Sequence, residues 1–247
     1  MHITSLQLWV TVISAIMVGF TKTGIPTLGI FVVALMAAVF PARESVGILT
    51  PMFITGDIIA IFYYRKAVVW KHLLVLLPWV LVGIGAGFGV LGKIGNEVLS
   101  VLIGTLVLLV ILLHLFKNRL ESTLNFSMAK SIAFNGGLGL LAGFTTMVGN
   151  AAGGIMSTYF LAKGINKTAF VGTTAFFFFI VNLVKVPFTA YLGLVTPQSL
   201  QLNAWMIPIV LAGAVIGYKV LPFIPQKQFQ AIVLILAALG GLNLILF

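Results

Sequence analysis

Two glycine-rich segments interrupt long apolar runs and constrain how this chain can fold. The first is GFTKTGIPTLG at Gly19–Gly29, and the second is GFTTMVGNAAGG at Gly143–Gly154. A membrane helix tolerates such a break only where the freed backbone groups face protein, water or a ligand, because hydrocarbon offers no hydrogen-bond partner. We therefore expect the two breaks to meet and to form one binding site.

The composition supports a membrane location for these breaks. Of the 247 residues, 61% are hydrophobic and 7% are charged, whereas roughly a quarter of the residues in soluble domains are charged. The apolar runs suit helices that cross a bilayer and lack the alternating pattern of barrel strands. The sequence therefore predicts an all-α integral membrane protein in contact with membrane lipid.

Metal and nucleic-acid sites are not predicted. Cysteine is absent, and His2, His72 and His114 are too scattered to suggest a ligand cluster, so we expect no metal and no other cofactor. The net charge of +10 comes from basic residues in short loops, which is typical of the positive-inside bias and not of a nucleic-acid surface. The run from Leu6 lacks the features of a signal peptide, so we expect it to be retained.

The apolar segments occur twice in the same order. Each half is predicted to hold a pair of short arms around its break, about fifteen residues each in the first half, followed by three crossings. We assign residues 1–118 to the first repeat, 119–130 to a linker and 131–247 to the second repeat. The arms are expected at about Leu6–Phe20 and Leu28–Phe40, with the second pair at Ser131–Ala162, and the crossings at Ser45–Tyr64, Leu73–Leu91, Val98–Phe116, Thr168–Leu192, Ala204–Leu221 and Phe229–Leu246.

The two halves also align residue by residue. Gly19-Phe20-Thr21 corresponds to Gly143-Phe144-Thr145, and one extra residue in the second break keeps the later positions in register. A single glycine match means little in membrane helices, but these matches keep their order through both halves. The matched pairs are Gly24 and Gly149, Gly29 and Gly154, Gly47 and Gly172, Asp57 and Asn182, and, after a five-residue insertion, Pro78 and Pro208, Gly83 and Gly213, and Gly87 and Gly217.

This arrangement predicts inverted repeats. If each half contains one re-entrant pair and three crossings, the second half begins on the opposite side of the membrane. The positive-inside bias favours this topology, with the polar segment 117–130 cytoplasmic and both termini outside. Two short crossings per break would give the same sidedness, whereas one kinked crossing would split the charges evenly. The cytoplasmic set is Arg65, Lys66, Lys71, Lys117, Arg119, Lys130, Lys163, Lys167, Lys219 and Lys227, with Arg43 and Lys93 opposite.

Broken helices in inverted repeats are the recurring plan of secondary transporters, whose sites lie near the membrane midplane. A break exposes backbone amides and the positive end of a helix dipole, so the natural ligand is an anion. The arms beginning near Pro26 and Ala151 would supply such ends. The predicted substrate-binding residues are Thr21, Lys22, Thr23, Gly24, Thr145, Thr146, Gly149, Asn150, Asn182 and Lys185.

Three charged residues lie within apolar sequence, where a charge needs a partner or a function. Lys22 could bind the anion or extend to the membrane interface. Lys185, one helical turn after Asn182, could bind the anion or form a structural ion pair with Asp57. Asp57 could carry a coupling proton or serve only as a counter-ion. We expect the phenylalanine run 176–179 to face lipid.

These motifs resemble one known family. The segments GFTTMVGNAAGGI, GFTKTGIPTLGI and NLVKVPFTAYLGL are similar to those of the TauE/SafE sulfite exporters, also called the toluene-sulfonate uptake permeases. The resemblance covers essentially the whole chain and implies a multi-pass bacterial or archaeal inner-membrane transporter of sulfite or related organic anions. By position it places Thr145, Asn150, Asn182 and Lys185 in or near the site.

The sequence thus predicts a secondary transporter that exports a small anion by alternating access. The predicted substrate is sulfite or a related organosulfonate. A passive anion channel and a non-transporting accessory subunit are the alternatives. An enzyme is not expected, because one intramembrane carboxylate without clustered histidines is a poor set of groups for acid-base or metal catalysis. A homodimer is plausible.

Overall fold

A computed structural model describes residues 3–24, 28–116, 132–165 and 167–220, with 235, 238–239 and 242–246 near the carboxyl end. These residues are helical and contain no strand. The predicted linker 119–130, the residues Ile25–Thr27 and most of the crossing predicted at Phe229–Leu246 lie outside them. The helices are α1 (Ser5–Thr23), α2 (Gly29–Ala37), α3 (Ala42–Tyr64), α4 (Trp70–Leu91), α5 (Asn96–Leu115), α6 (Ile132–Gly149), α7 (Gly153–Ala162), α8 (Lys167–Tyr191) and α9 (Pro197–Val220).

Six of the described helices are long and apolar enough to cross a membrane, namely α1, α3, α4, α6, α8 and α9. The all-helical membrane fold is therefore confirmed. The bounds of α3, α4, α5 and α8 lie within three residues of those expected from the sequence. The start of α9 is different, since it begins at Pro197 and not near Ala204.

Local capping explains this early start of α9. The Thr196 hydroxyl accepts a hydrogen bond from the Ser199 amide at 3.1 Å, and the Ser199 hydroxyl accepts one from the Thr196 amide at 2.9 Å. Proline at the first helical position loses no hydrogen bond there. A capped first turn therefore extends the helix through the polar residues that follow.

The arms on either side of each break are unequal, so the predicted arm lengths are wrong. The helices before the breaks, α1 and α6, have 19 and 18 residues, whereas α2 and α7 have 9 and 10. Within each break, threonines of the first arm bond to preceding carbonyls of the same helix. Thr21 donates to the Val18 carbonyl at 2.9 Å and Thr145 to that of Leu141 at 2.8 Å.

In each broken pair, the end of the second helix contacts the region where the first helix begins. The side-chain amide of Gln7, near the start of α1, donates to the Val39 carbonyl after α2 at 2.9 Å. In the second half, the Lys163 ammonium after α7 donates to the Asn135 side chain near the start of α6 at 2.8 Å. A single kinked crossing would have left these ends far apart.

Glycines bring α1 against α9 and α6 against α4. A Cβ on Gly19 would collide with the Val210 carbonyl and lie 2.5 Å from the Ala214 nitrogen. A Cβ on Gly143 would collide with the Val80 carbonyl and lie 2.9 Å from the Ile84 nitrogen. The repeat alignment equates Val210 with Val80 and Ala214 with Ile84. Equivalent residues of the two halves therefore make equivalent close contacts between helices.

The central pair, α3 and α8, runs antiparallel. Near the start of α3, Gly47 packs so tightly that a Cβ would collide with the Leu194 carbonyl just beyond α8. Near the start of α8, a Cβ on Gly172 would lie 2.8 Å from the Tyr64 carbonyl at the end of α3. Between these contacts the Asn182 amide donates to Asp57 at 2.9 Å. The repeat alignment pairs Gly47 with Gly172 and Asp57 with Asn182. The two close contacts and the hydrogen bond therefore involve equivalent positions of the two halves.

The close packing of α4 against α6 leads to a stability prediction. The test position and its matched control both lie on α4. A Cβ on Gly83 would collide with the Leu140 carbonyl, whereas a Cβ on Gly85 would meet nothing within 4 Å. We expect Gly83→Ala to destabilise the protein by about 1–3 kcal/mol because two helix backbones must separate. Thermal unfolding of the detergent-solubilised protein measures this effect. Gly85→Ala is expected to match the unaltered protein, and equal midpoints for both variants would contradict the packing argument.

Candidate functional site

A narrow cavity lies where the two breaks meet α3 and α8. Its walls come from α1, α2, α3, α6, α7 and α8, together with Asn150 in the second break, so both halves of the chain contribute. The lining residues are Thr21, Lys22, Gly29, Phe53, Asp57, Thr146, Asn150, Gly153, Thr174, Ala175, Phe178 and Asn182.

The backbone of the second break is set by Asn150. Its φ of 56° lies in the left-handed region, where asparagine is among the few residues other than glycine that serve as a helix stop. Its amide and that of Ala151 bond back to the carbonyls of Thr146 and Thr145 at 3.1 and 3.2 Å. This turn ends α6 and places the Asn150 side chain between α3 and α8.

Both short helices begin at the cavity. Gly29 is the first residue of α2, Gly153 is the first residue of α7, and each lines the cavity wall. The amino-terminal end of a helix carries a partial positive charge of about half an elementary charge. Two such ends facing one cavity favour a negatively charged ligand.

Lys22 is paired at this site and does not extend to the membrane interface. Its ammonium lies 2.7 Å from the Asp57 carboxylate, and only 10% of its side chain is exposed. The same nitrogen lies over the rings of Phe53 and Phe178, 4.7 and 4.5 Å from their centroids. The aromatic faces and the carboxylate together stabilise this buried cation.

Asp57 is the centre of this polar cluster. The residue is fully buried, and its second carboxylate oxygen accepts the hydrogen bond from Asn182. One oxygen therefore faces a lysine of the first break and the other faces α8. Asp57 is therefore the ion-pair partner of Lys22, and both of its expected roles stay predictions.

Lys185 has a different environment. Its side chain is fully buried, and its ammonium donates to Asn150 Oδ1 at 2.5 Å and to Thr146 Oγ1 at 3.3 Å. The alternative of an ion pair between Lys185 and Asp57 is not what forms, since Lys22 takes that position. Among the described residues, the polar contacts of this ammonium are both with neutral oxygens.

The predicted substrate-binding residues divide into two groups. Thr21, Lys22, Thr146, Asn150 and Asn182 line the cavity, and Lys185 lies directly behind Thr146 and Asn150.

The remaining predicted residues have structural contacts. Thr23 donates to the Ala214 carbonyl at 3.0 Å and so ties α1 to α9. Thr145 bonds within α6, Gly149 packs close to Ile103, and Gly24 ends α1.

Several lining residues were not predicted. Phe178 lines the cavity and is 7% exposed, and Phe177 is fully buried, so the expectation that the run 176–179 faces lipid is wrong for both residues. Thr174 is buried, and its hydroxyl has no hydrogen-bond partner among the described residues. One signal in the sequence could have revealed Phe178. It precedes Asn182 by one turn just as Phe53 precedes Asp57, so the repeat alignment pairs the two rings.

A comparison with protein families assigns this chain to a family. The profile of the family described as Sulfite exporter TauE/SafE matches residues 11–244, which include both breaks, α3 and α8. No significant match is found among curated proteins or among solved structures. The family is one of membrane transporters for sulfur-containing anions. The resemblance seen in the motifs is therefore confirmed, and this multi-pass membrane protein belongs to the TauE/SafE sulfite exporter family.

Proposed function

We propose that the protein is a secondary transporter that exports sulfite or a related organosulfonate across a bacterial or archaeal inner membrane by alternating access. The anion would bind in the cavity between the two breaks. One observation carries this proposal: the Lys185 ammonium is fully buried beside the cavity, and its described contacts are with uncharged oxygens.

A charge in this position needs an anionic partner. An uncompensated ion in a protein interior costs several kcal/mol, and the membrane adds to this cost. An ammonium has three N–H donors, of which Asn150 and Thr146 take two. An anion in the cavity next to these two side chains would lie close to the ammonium and balance its charge.

Other donors surround the same space. The Thr174 hydroxyl is unpartnered among the described residues, and Thr21 also lines the wall. The first turns of α2 and α7 add backbone amides. An oxyanion with three oxygens suits donors that converge from several directions.

We infer that the two repeats have inverted topology. The alignment equates α3 with α8, and these helices run antiparallel, as the contacts at Gly47, Asp57 and Gly172 indicate. It also equates α1 with α6 and α4 with α9, and the pairs α1–α9 and α6–α4 make equivalent contacts. A twofold axis parallel to the membrane relates halves in this manner.

This axis would pass close to the anion site. Asp57 and Asn182 are equivalent positions that bond to each other, as expected for residues beside a twofold axis. Rocking of one repeat against the other would leave groups near the axis almost in place while opening either side. The site could then face each side of the membrane in turn. In this scheme residues 1–118 and 131–247 are the moving repeats, and 119–130 joins them on the cytoplasmic side.

Replacement of Lys185 tests the anion site. We expect Lys185→Ala to reduce sulfite uptake by proteoliposomes to the level of protein-free vesicles, because the charge partner of the anion is lost. Lys219→Ala is the matched control, since it removes an exposed lysine at the end of α9. Both variants should insert and remain monodisperse in detergent. Wild-type flux in the Lys185 variant would remove this residue from the mechanism.

Countertransport distinguishes a transporter from a passive channel. We expect unlabelled sulfite inside the vesicles to accelerate the entry of labelled sulfite, because a loaded carrier reorients faster than an empty one. A channel would show no such acceleration. The same assay with an organosulfonate and an imposed pH gradient separates the two roles of Asp57. A sulfonate keeps its charge near neutral pH, so a flux that depends on the gradient then indicates a coupling proton.

Single cysteines test the inverted topology. The natural chain has no cysteine, so each introduced thiol reports alone. We expect Lys66→Cys to react with a membrane-impermeant maleimide only from the cytoplasmic side and Lys93→Cys only from the outside. Labelling of both from one side would contradict the proposed arrangement.

A further inference from the structure

The charges at the cavity can be counted. Among the described residues, the charged side chains that line it or contact its wall are Lys22, Asp57 and Lys185. The other charged residues within the described ranges lie at or next to the end of a helix. The undescribed residues of the first break, Ile25–Thr27, carry no charge.

Two of these three charges cancel. The Lys22 ammonium and the Asp57 carboxylate are in direct contact at 2.7 Å, and the carboxylate is fully buried. Lys185 has no such partner among the described residues. With both lysines protonated, the charges of these three described side chains sum to one net positive charge.

We propose that the site selects monovalent over divalent oxyanions, and that Asp57 sets this selectivity by neutralising Lys22. This inference rests on the proposed transport function. A monovalent anion brings the buried charge to zero. A dianion leaves one uncompensated negative charge in a low-dielectric interior, which is strongly unfavourable.

The residues that line the cavity are compatible with a sulfonate as the monovalent ligand. Polar groups and helix ends occupy part of the wall, and Phe53, Phe178 and Ala175 form an apolar part. A small alkyl sulfonate likewise has a polar part and an apolar part, because it carries three oxygens at one end and a hydrocarbon group at the other. Sulfate has an oxygen in every direction and would leave some of them against apolar surface.

Competing fluxes of methanesulfonate and sulfate test this selectivity in proteoliposomes. The two anions have similar tetrahedral shapes and carry one and two negative charges at neutral pH. We expect the wild-type protein to prefer methanesulfonate by about a hundredfold, in line with the cost of an unpaired buried charge. Equal uptake of both anions would overturn the proposal.

Asp57→Asn isolates the role of the carboxylate. The variant keeps the side-chain shape but raises the net charge of the site by one, so that a dianion is balanced. We expect the preference for methanesulfonate to fall at least about tenfold. An unchanged preference in the folded variant would overturn the assignment to Asp57.

The double variant Lys22→Met with Asp57→Asn restores the original charge count. We expect it to prefer methanesulfonate as the wild type does, even if both fluxes are lower. If Asp57→Asn does not fold, the double variant still tests whether selectivity follows the charge count, because it removes the ion pair without leaving an unpaired charge. A preference for sulfate in the double variant would overturn the proposal. Wild-type protein that transports neither these anions nor sulfite would overturn the transport function itself, a result distinct from lost selectivity.

Discussion

The polar cluster between α3 and α8 is the interaction on which the rest of this protein depends. Asp57 accepts a hydrogen bond from Asn182 on one oxygen and contacts the Lys22 ammonium on the other. Loss of one partner would leave a charge in the core without compensation, which is far more costly than loss of an apolar contact. The cluster therefore fixes α3 against α8 and holds the end of α1 beside both.

The two halves share a backbone plan but differ in chemistry. The alignment pairs Lys22 with Thr146 and Lys185 with Ala60, so each repeat supplies one lysine at a position where the other has a neutral residue. The aromatic pair Phe53 and Phe178 keeps the symmetry. The common plan accounts for the helix packing, whereas the departures from it produce a site with a defined net charge.

Much of this organisation could be predicted from the sequence, because hydropathy and ordered glycines report directly on membrane helices and their close packing. The partners of buried polar groups could not. Thr23 lies in the first break and Thr146 in the second, and one bonds to a neighbouring helix whereas the other bonds to Lys185. Helical spacing places side chains on a face of their own helix. Helical spacing alone does not show which lysine of another helix forms the ion pair with Asp57.

The site combines one unpaired ammonium with helix ends, and this combination suits a transporter. A transporter must release its substrate on the far side, so very tight binding would slow its cycle. Partial charges at the starts of α2 and α7 attract an anion without the large desolvation cost of further lysines. If Lys22 were free, a second full charge would hold the anion more strongly. In the proposed site, the pairing of Asp57 with Lys22 would keep the attraction sufficient for binding and weak enough for release.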